Sequence, residues 1–239
     1  MPYYYYGFDW TYFTLLLPCL LLSLWASANV NSTFKKYAQQ NSIRRITGAD
    51  AAQRVLAANG VRGVRIDRVS GNLTDHFDPK TNVIRLSDSV YSSTSTAAIG
   101  VACHEAGHAV QYAQNYGPIK LRSAIIPVTN FGSRIAMPLI LIGILLSSMG
   151  EISYTFIYLG IAAFSLSLVF QLVTLPVEFN ASRRAMQAIE NANILTEEEQ
   201  RGARKTLTAA AMTYVAATAV SLAQLLRLIL LYGRRRRRD

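Results

Sequence analysis

Cysteine, histidine and acidic residues are all scarce in this chain. Its 239 residues include two cysteines and three histidines. Cys19 lies inside an apolar run and Cys103 in a motif discussed below, so a disulfide between them is not expected and cysteine usage gives no sign of an oxidising compartment. Asp and Glu number 14 against 24 Lys and Arg, which leaves a formal net charge of +10. Arg234 to Arg238 supply half of that excess directly after an apolar segment. A basic cluster in that position suits anionic lipid headgroups rather than nucleic acid, with an unstructured, solvated tail as the alternative. The first apolar segment has neither a basic start nor a small-residue cleavage site, so a retained anchor is expected rather than a cleaved signal. Internal repeats are absent, and the arginine tail is the one low-complexity stretch.

Apolar sequence is abundant. Hydrophobic residues make up 51% of the chain and mean hydropathy is +0.20, high for a water-soluble protein. A membrane-crossing helix needs about 20 apolar residues. Residues 11–29, 135–149, 152–175 and 209–232 supply four candidates. The second and third are separated only by Gly150 and Glu151, which implies a helical hairpin, and Tyr3 to Tyr6 suit the water–lipid interface. Gly143 and Gly160 would permit close helix packing.

Between the first anchor and the hairpin lies the stretch able to face water. Thr47 is placed to cap a helix ending near Gly60, and 61–71 alternates as a strand. An Asp-Pro-Lys-Thr-Asn turn separates Leu73–Phe77 from a second strand at Val83–Leu86, which is expected to form a sheet edge able to template an extended peptide. Ser93 to Thr96 offer caps for a helix that Gly117 and Pro118 should end. Pro176 is expected to close the second hairpin arm, with a new helix after it and a capping box at Thr196 and Glu199 before the last segment.

HEAGH, residues 104–108, carries the chemistry. Histidines four apart on an α-helix share one face and can reach one ion, while Glu105 is rotated far enough to hold a water without ligating. Zinc is the expected ion, because it accepts imidazole and activates water near neutral pH. A catalytic zinc needs a third protein ligand, for which the chain offers Glu178, His76 and nearby aspartates. Glu178 is preferred, since a hairpin that crosses out and back returns it to the face holding His104 and His108. Its bland alternative is a carboxylate paired with Arg183 or Arg184; that of His76 is a sheet-edge residue, with an oxyanion donor or substrate contact as a further role.

The stretches SGNLTDHFDP (70–79), IGVACHEAGHAVQYA (99–113), LVTLPVEFNASRRA (172–185) and the ending LLRLILLYGRRRRR resemble the bacterial YugP-like family of membrane zinc metallopeptidases over nearly the whole chain. The resemblance implies zinc ligation by His104 and His108 with Glu105 as catalytic base. VEFNASRR also resembles the glutamate-bearing helix of the wider HtpX-like membrane proteases, which supports Glu178 as third ligand. Those relatives carry an aspartate four residues after the glutamate, where this chain has Ser182. The supporting role of that aspartate then falls to another group such as Asn180.

The expected architecture is an α-helical membrane protein with a small α+β zincin-like catalytic domain and about four transmembrane helices. Its parts are an N-terminal transmembrane helix (8–29), the catalytic domain (30–133), a transmembrane hairpin (134–176), a helix with the third ligand and a connector (177–206), and a C-terminal membrane helix with the arginine tail (207–239). The expected activity is zinc-dependent endopeptidase, one Zn2+ per chain, acting on peptides or proteins and among them membrane proteins. The alternative is a non-catalytic scaffold with a structural metal closed by His76. Lys35, Lys36, Arg44, Arg45, Lys120, Arg122, Arg134, Arg183, Arg184, Arg201, Arg204 and Lys205 flank the membrane on the catalytic side, which by the positive-inside tendency faces the cytoplasm. The arginine tail opposes this unless the last segment, interrupted by Gln224 and Arg227, stops short of crossing.

Overall fold

The computed structural model describes residues 4–5 and 8–233; the tyrosine side chains at 3–6 and the arginines at 234–238 lie outside the described residues. Strands β1 (Tyr4–Tyr5) and β2 (Phe8–Asp9) pair antiparallel ahead of a π-helical turn, Tyr12–Leu16, that leads into α1 (Leu17–Tyr37). Then follow α2 (Gly48–Ala58), β3 (Arg65–Val69), β4 (His76–Asp78), β5 (Val83–Ser87), α3 (Asp88–Tyr91) and α4 (Thr96–Ala113). Three long helices complete the chain: α5 (Gly117–Leu145), α6 (Glu151–Asn191) and α7 (Glu197–Tyr232). The protein is thus a helical membrane protein with a small α+β part, and four helices, Tyr12–Tyr37, α5, α6 and α7, are long and apolar enough to cross a bilayer.

The chain divides into two units. One is apolar and takes in the chain up to Trp25, Leu121–Leu175 and the chain from Tyr214 onward; the other comprises Ala26–Lys120 and Pro176–Thr213.

Within the apolar unit, α5 and α6 form the expected hairpin, turned by a 3-10 segment at Ser147–Met149 and by Gly150 at φ +63°. Its arms pack at glycines. A Cβ on Gly160 would stand 2.8 Å from the Ala136 carbonyl oxygen, and one on Gly143 would stand 2.8 Å from that of Ser153. The Ser153 hydroxyl donates to the Gly143 carbonyl at 2.6 Å. In α7, Arg227 does not interrupt the helix, because the carboxylate of Asp9 accepts from its Nε at 3.0 Å and from its Nη2. The charge is neutralised where an unpaired guanidinium would be costly in an apolar setting. The helix therefore continues unbroken to Tyr232, and its 214–232 portion, at 1.5 Å per residue, is about as long as the hydrocarbon layer is thick.

The second unit owes its order to local signals and a dense core. Thr47 caps α2 in a reciprocal box with Asp50, and Ser95 caps α4 by accepting from the Ala98 amide at 3.2 Å. Thr196 and Glu199 form the expected box at the start of α7, and the other Glu199 oxygen accepts from the Ile43 amide at 2.6 Å. Val55, Leu56, Ile84, Leu86, Ile99, Ile189 and Ile194 are fully buried in one core, each contributing about 1.5–3 kcal/mol relative to exposure.

Three expectations need correction. Val83–Leu86 is not a sheet edge. The strand order is β3-β5-β4, with β5 parallel to β3 and antiparallel to β4, so its hydrogen-bonding groups are engaged on both sides. The nearly continuous apolar run of Val83, Ile84 and Leu86 is the mark of such a buried central strand. Pro176 does not end a helix either, because α6 runs through it to Asn191. An internal proline costs about 3 kcal/mol, and burial of Val177, Ala181, Ala185 and Ile189 beyond it outweighs that. Pro118 opens α5 instead of merely closing α4, since the first helical turn needs no amide there.

Two glycines fix how α4 sits. Gly100 and Gly107 lie about two turns apart on one face. A Cβ on Gly100 would stand 3.2 Å from Ala203 of α7, and one on Gly107 only 2.8 Å from the Ala181 carbonyl oxygen of α6. Gly107→Val should therefore destabilise the protein by about 1–3 kcal/mol, read as a lower thermal midpoint in detergent. Gly117→Ala, where a Cβ meets nothing within 4 Å, should leave the midpoint unchanged.

Candidate metal centre

Helix α4 presents His104 and His108 on one face, with ring centroids 4.7 Å apart and planes at 85°. Helix α6 comes close enough at the Gly107–Ala181 contact to set Glu178 against both. Its Oε2 is 3.2 Å from His104 Nε2 and 3.5 Å from His108 Nε2. The three residues are the group of possible ligands found among the described residues, their donor atoms all within 4.8 Å of one another.

Donors about 2.0–2.1 Å from a tetrahedral ion stand roughly 3.3 Å apart. The separations of 3.2 and 3.5 Å match that edge length. Two imidazoles and one carboxylate form a donor set that suits zinc. Glu178 is 2% exposed, and a carboxylate at that depth needs positive charge beside it. Burial opposes a charge on His108, but the Glu178 carboxylate outweighs burial and raises the His108 pKa. The space between the three side chains is one that favours a cation.

Each ring also has a partner on its other nitrogen. The Ser182 hydroxyl lies 3.1 Å from His104 Nδ1, and Gln111 Oε1 lies 3.0 Å from His108 Nδ1. Ser182 thus stands in person where the wider relatives have an aspartate, and the Asn180 side chain bonds Gln111 and Arg184 instead. Arg184 does not pair with Glu178; its guanidinium donates to Asn180 at 2.7 Å and to Gln114 at 2.5 Å.

Glu105 is buried, and its negative charge acts on both His108 and Asp75. Cys103, one residue before His104, is fully buried in the core, and burial pushes its thiol far up, so it stays a packed, unreactive side chain. His76 is not in the donor cluster. It is exposed at the start of β4, its Nδ1 2.9 Å from the Thr74 carbonyl oxygen. Since a carbonyl only accepts, Nδ1 carries the proton there and Nε2 is the acceptor in the neutral ring.

Sequence reasoning missed Gln111 and Asp75. Gln111 was findable as the residue one turn beyond His108 on the same face. Asp75 accepts from the Ser87 amide at 2.7 Å and from its hydroxyl, which ties the start of β4 to the end of β5. Burial, with a smaller contribution from the Glu105 charge, raises its pKa. No local pattern announces a contact of that kind.

A family profile described as "Putative neutral zinc metallopeptidase" matches residues 12–233, and the chain belongs to that family of zinc peptidases. Among its relatives is a protein of Bacillus subtilis (strain 168) named "Putative membrane protease YugP", 47% identical over 218 residues that cover 91% of this chain and 95% of the relative. No solved structure matches. The chain is therefore a multi-pass membrane protein of a zinc peptidase family, with protease chemistry as its coarse function.

Loss of the Ser182 hydroxyl removes the partner of His104 Nδ1. Ser182→Ala should lower zinc affinity by roughly 10–100-fold, measured by chelator competition. Ser182→Asp, which restores an acceptor, should keep affinity near that of the unaltered protein.

Proposed function

We propose that this protein is a membrane zinc endopeptidase in which His104, His108 and Glu178 hold one Zn2+ per chain and Glu105 is the general base. The observation that carries the reading is the approach of the Glu178 carboxylate to within 3.2 and 3.5 Å of the two imidazole Nε2 atoms, separations that suit donors sharing one zinc. Zinc held there supplies Lewis acidity, bringing a water within reach of deprotonation near neutral pH. Glu105, one position along α4 from His104, accepts the proton of the attacking water and returns it to the leaving amine. The carboxylate of Glu178 balances part of the cationic charge, and Ser182 and Gln111 orient the rings.

Substrate enters as an extended segment alongside β4, not β5. β4 is an outer strand of the sheet, and Phe77 beside His76 packs edge-on against Tyr112 of α4 at 5.6 Å, which keeps that edge beside the motif helix. Backbone pairing there positions a peptide irrespective of its side chains, in keeping with a protease of broad substrate range, membrane proteins included. His76, at the head of this strand, contacts substrate. It serves as an oxyanion donor only when protonated, because Nδ1 is already committed to Thr74. A closed structural site would need His76 as a fourth ligand, and the donor cluster of three supports the catalytic reading over the scaffold.

The site faces the cytoplasm. Lys35, Lys36, Arg44, Arg45, Lys120, Arg183, Arg184, Arg201, Arg204 and Lys205 all belong to the unit that carries the site, against five arginines in the tail.

Glu105→Gln should abolish cleavage of an unfolded protein substrate while retaining about one zinc per chain by metal analysis. Full activity in that variant sinks the assignment. Ile43, 78% exposed in the site-bearing unit, reports the orientation. With Cys19 and Cys103 replaced by alanine, Ile43→Cys should react with a membrane-impermeant maleimide only after cells are lysed.

A further inference from the structure

The rings of His104 and His108 are supported in different ways, and the support of His108 reaches further. Gln111 is fully buried. Its side-chain nitrogen lies 2.9 Å from the Val177 carbonyl oxygen and 2.9 Å from Asn180 Oδ1. A peptide carbonyl cannot donate, so the group facing Val177 is the NH2 and both its protons are used. Gln111 Oε1 is consequently the end that faces His108 Nδ1, at 3.0 Å. An amide oxygen only accepts, so Nδ1 carries the proton and the Nε2 lone pair points toward Glu178 and the metal position.

Asn180 is itself held. Its Oδ1 accepts from Arg184 Nε at 2.7 Å, and Arg184 Nη1 donates to Gln114 at 2.5 Å while its guanidinium lies 5.8 Å from the centre of the Tyr116 ring. With Oδ1 committed to two donors, Asn180 cannot turn its own NH2 toward Gln111 without leaving Arg184 opposite a second donor. Donation therefore runs from His108 to Gln111 and from Gln111 to Asn180 Oδ1, where Arg184 donates as well.

We infer that Gln111 is a positioning residue that sets the tautomer of His108 for metal binding, and that Asn180 and Arg184 of α6 hold Gln111 in the required orientation. The inference rests on the zinc site proposed above. It gives α6 a second role at the site. Besides delivering Glu178 as a ligand, the same helix turn fixes, through Asn180 and the Val177 carbonyl, which nitrogen of a ligand on α4 is free to bind. A flipped Gln111 amide would offer NH2 to His108 Nδ1 and draw the proton to Nε2, where it would compete with the metal.

The test uses the full chain in detergent, with zinc affinity read by competition with a chromogenic chelator and stability read as the thermal midpoint of the metal-free protein. Gln111→Met, of similar volume and without an acceptor for Nδ1, should weaken zinc binding by roughly 10–100-fold. Asn180→Leu should weaken it in the same direction. Asn180→Asp still accepts from both Gln111 and Arg184, and it should bind zinc within a few-fold of the unaltered protein. The midpoints should not follow this order. The inference is overturned if Gln111→Met binds zinc as the unaltered protein does, if Asn180→Asp is as weak as Asn180→Leu, or if affinity merely tracks the midpoint across the series. His104→Ala separates the two readings. Undiminished zinc binding in His104→Ala overturns the metal site itself and the inference with it, whereas loss there beside normal Gln111→Met overturns the inference alone.

Discussion

The contact between Gly107 and the Ala181 carbonyl is the constraint on which the site depends. A side chain at position 107 would hold α4 and α6 apart, and ligand edges of 3.2 and 3.5 Å leave no room for that. Close approach brings a cost along with the benefit, because a carboxylate and two imidazoles are taken out of water together. A buried carboxylate without a positive partner would be strongly unfavourable. A cation between the three side chains would offset that cost, which links packing of the two helices to loading of the site.

The helix that carries Glu178 begins in the apolar unit and ends in the one holding the histidines. It passes through Pro176 without stopping, two residues before the ligand. The same α6 turn supplies Ser182 to His104 and, by way of Asn180 and Gln111, fixes His108.

Substitution of serine for the aspartate of wider relatives also takes on a physical meaning. A hydroxyl can accept from Nδ1–H without adding a second buried negative charge beside Glu178. His108 is likewise supported by a neutral amide.

Much of this was legible in the linear sequence because it depends on residues close together in the chain. Helical spacing placed His104 and His108 on one face, capping pairs marked the starts of α2 and α7, and apolar runs of sufficient length announced four membrane helices. Glu178 could be reached from the way a hairpin returns, which is topology rather than geometry. Other features were beyond its reach for a definite reason. Whether β5 is an edge or a centre depends on partners that come from elsewhere in the chain, and whether Pro176 ends a helix depends on the burial available beyond it. The pairing of Arg227 with Asp9, the use of Ser182 and the tautomer set by Gln111 are likewise decided by distances between residues far apart in sequence. Short-range rules determined which elements form and which residue types could bind a metal; only the tertiary structure decided which of them meet, because each such contact is the outcome of packing summed over the whole unit.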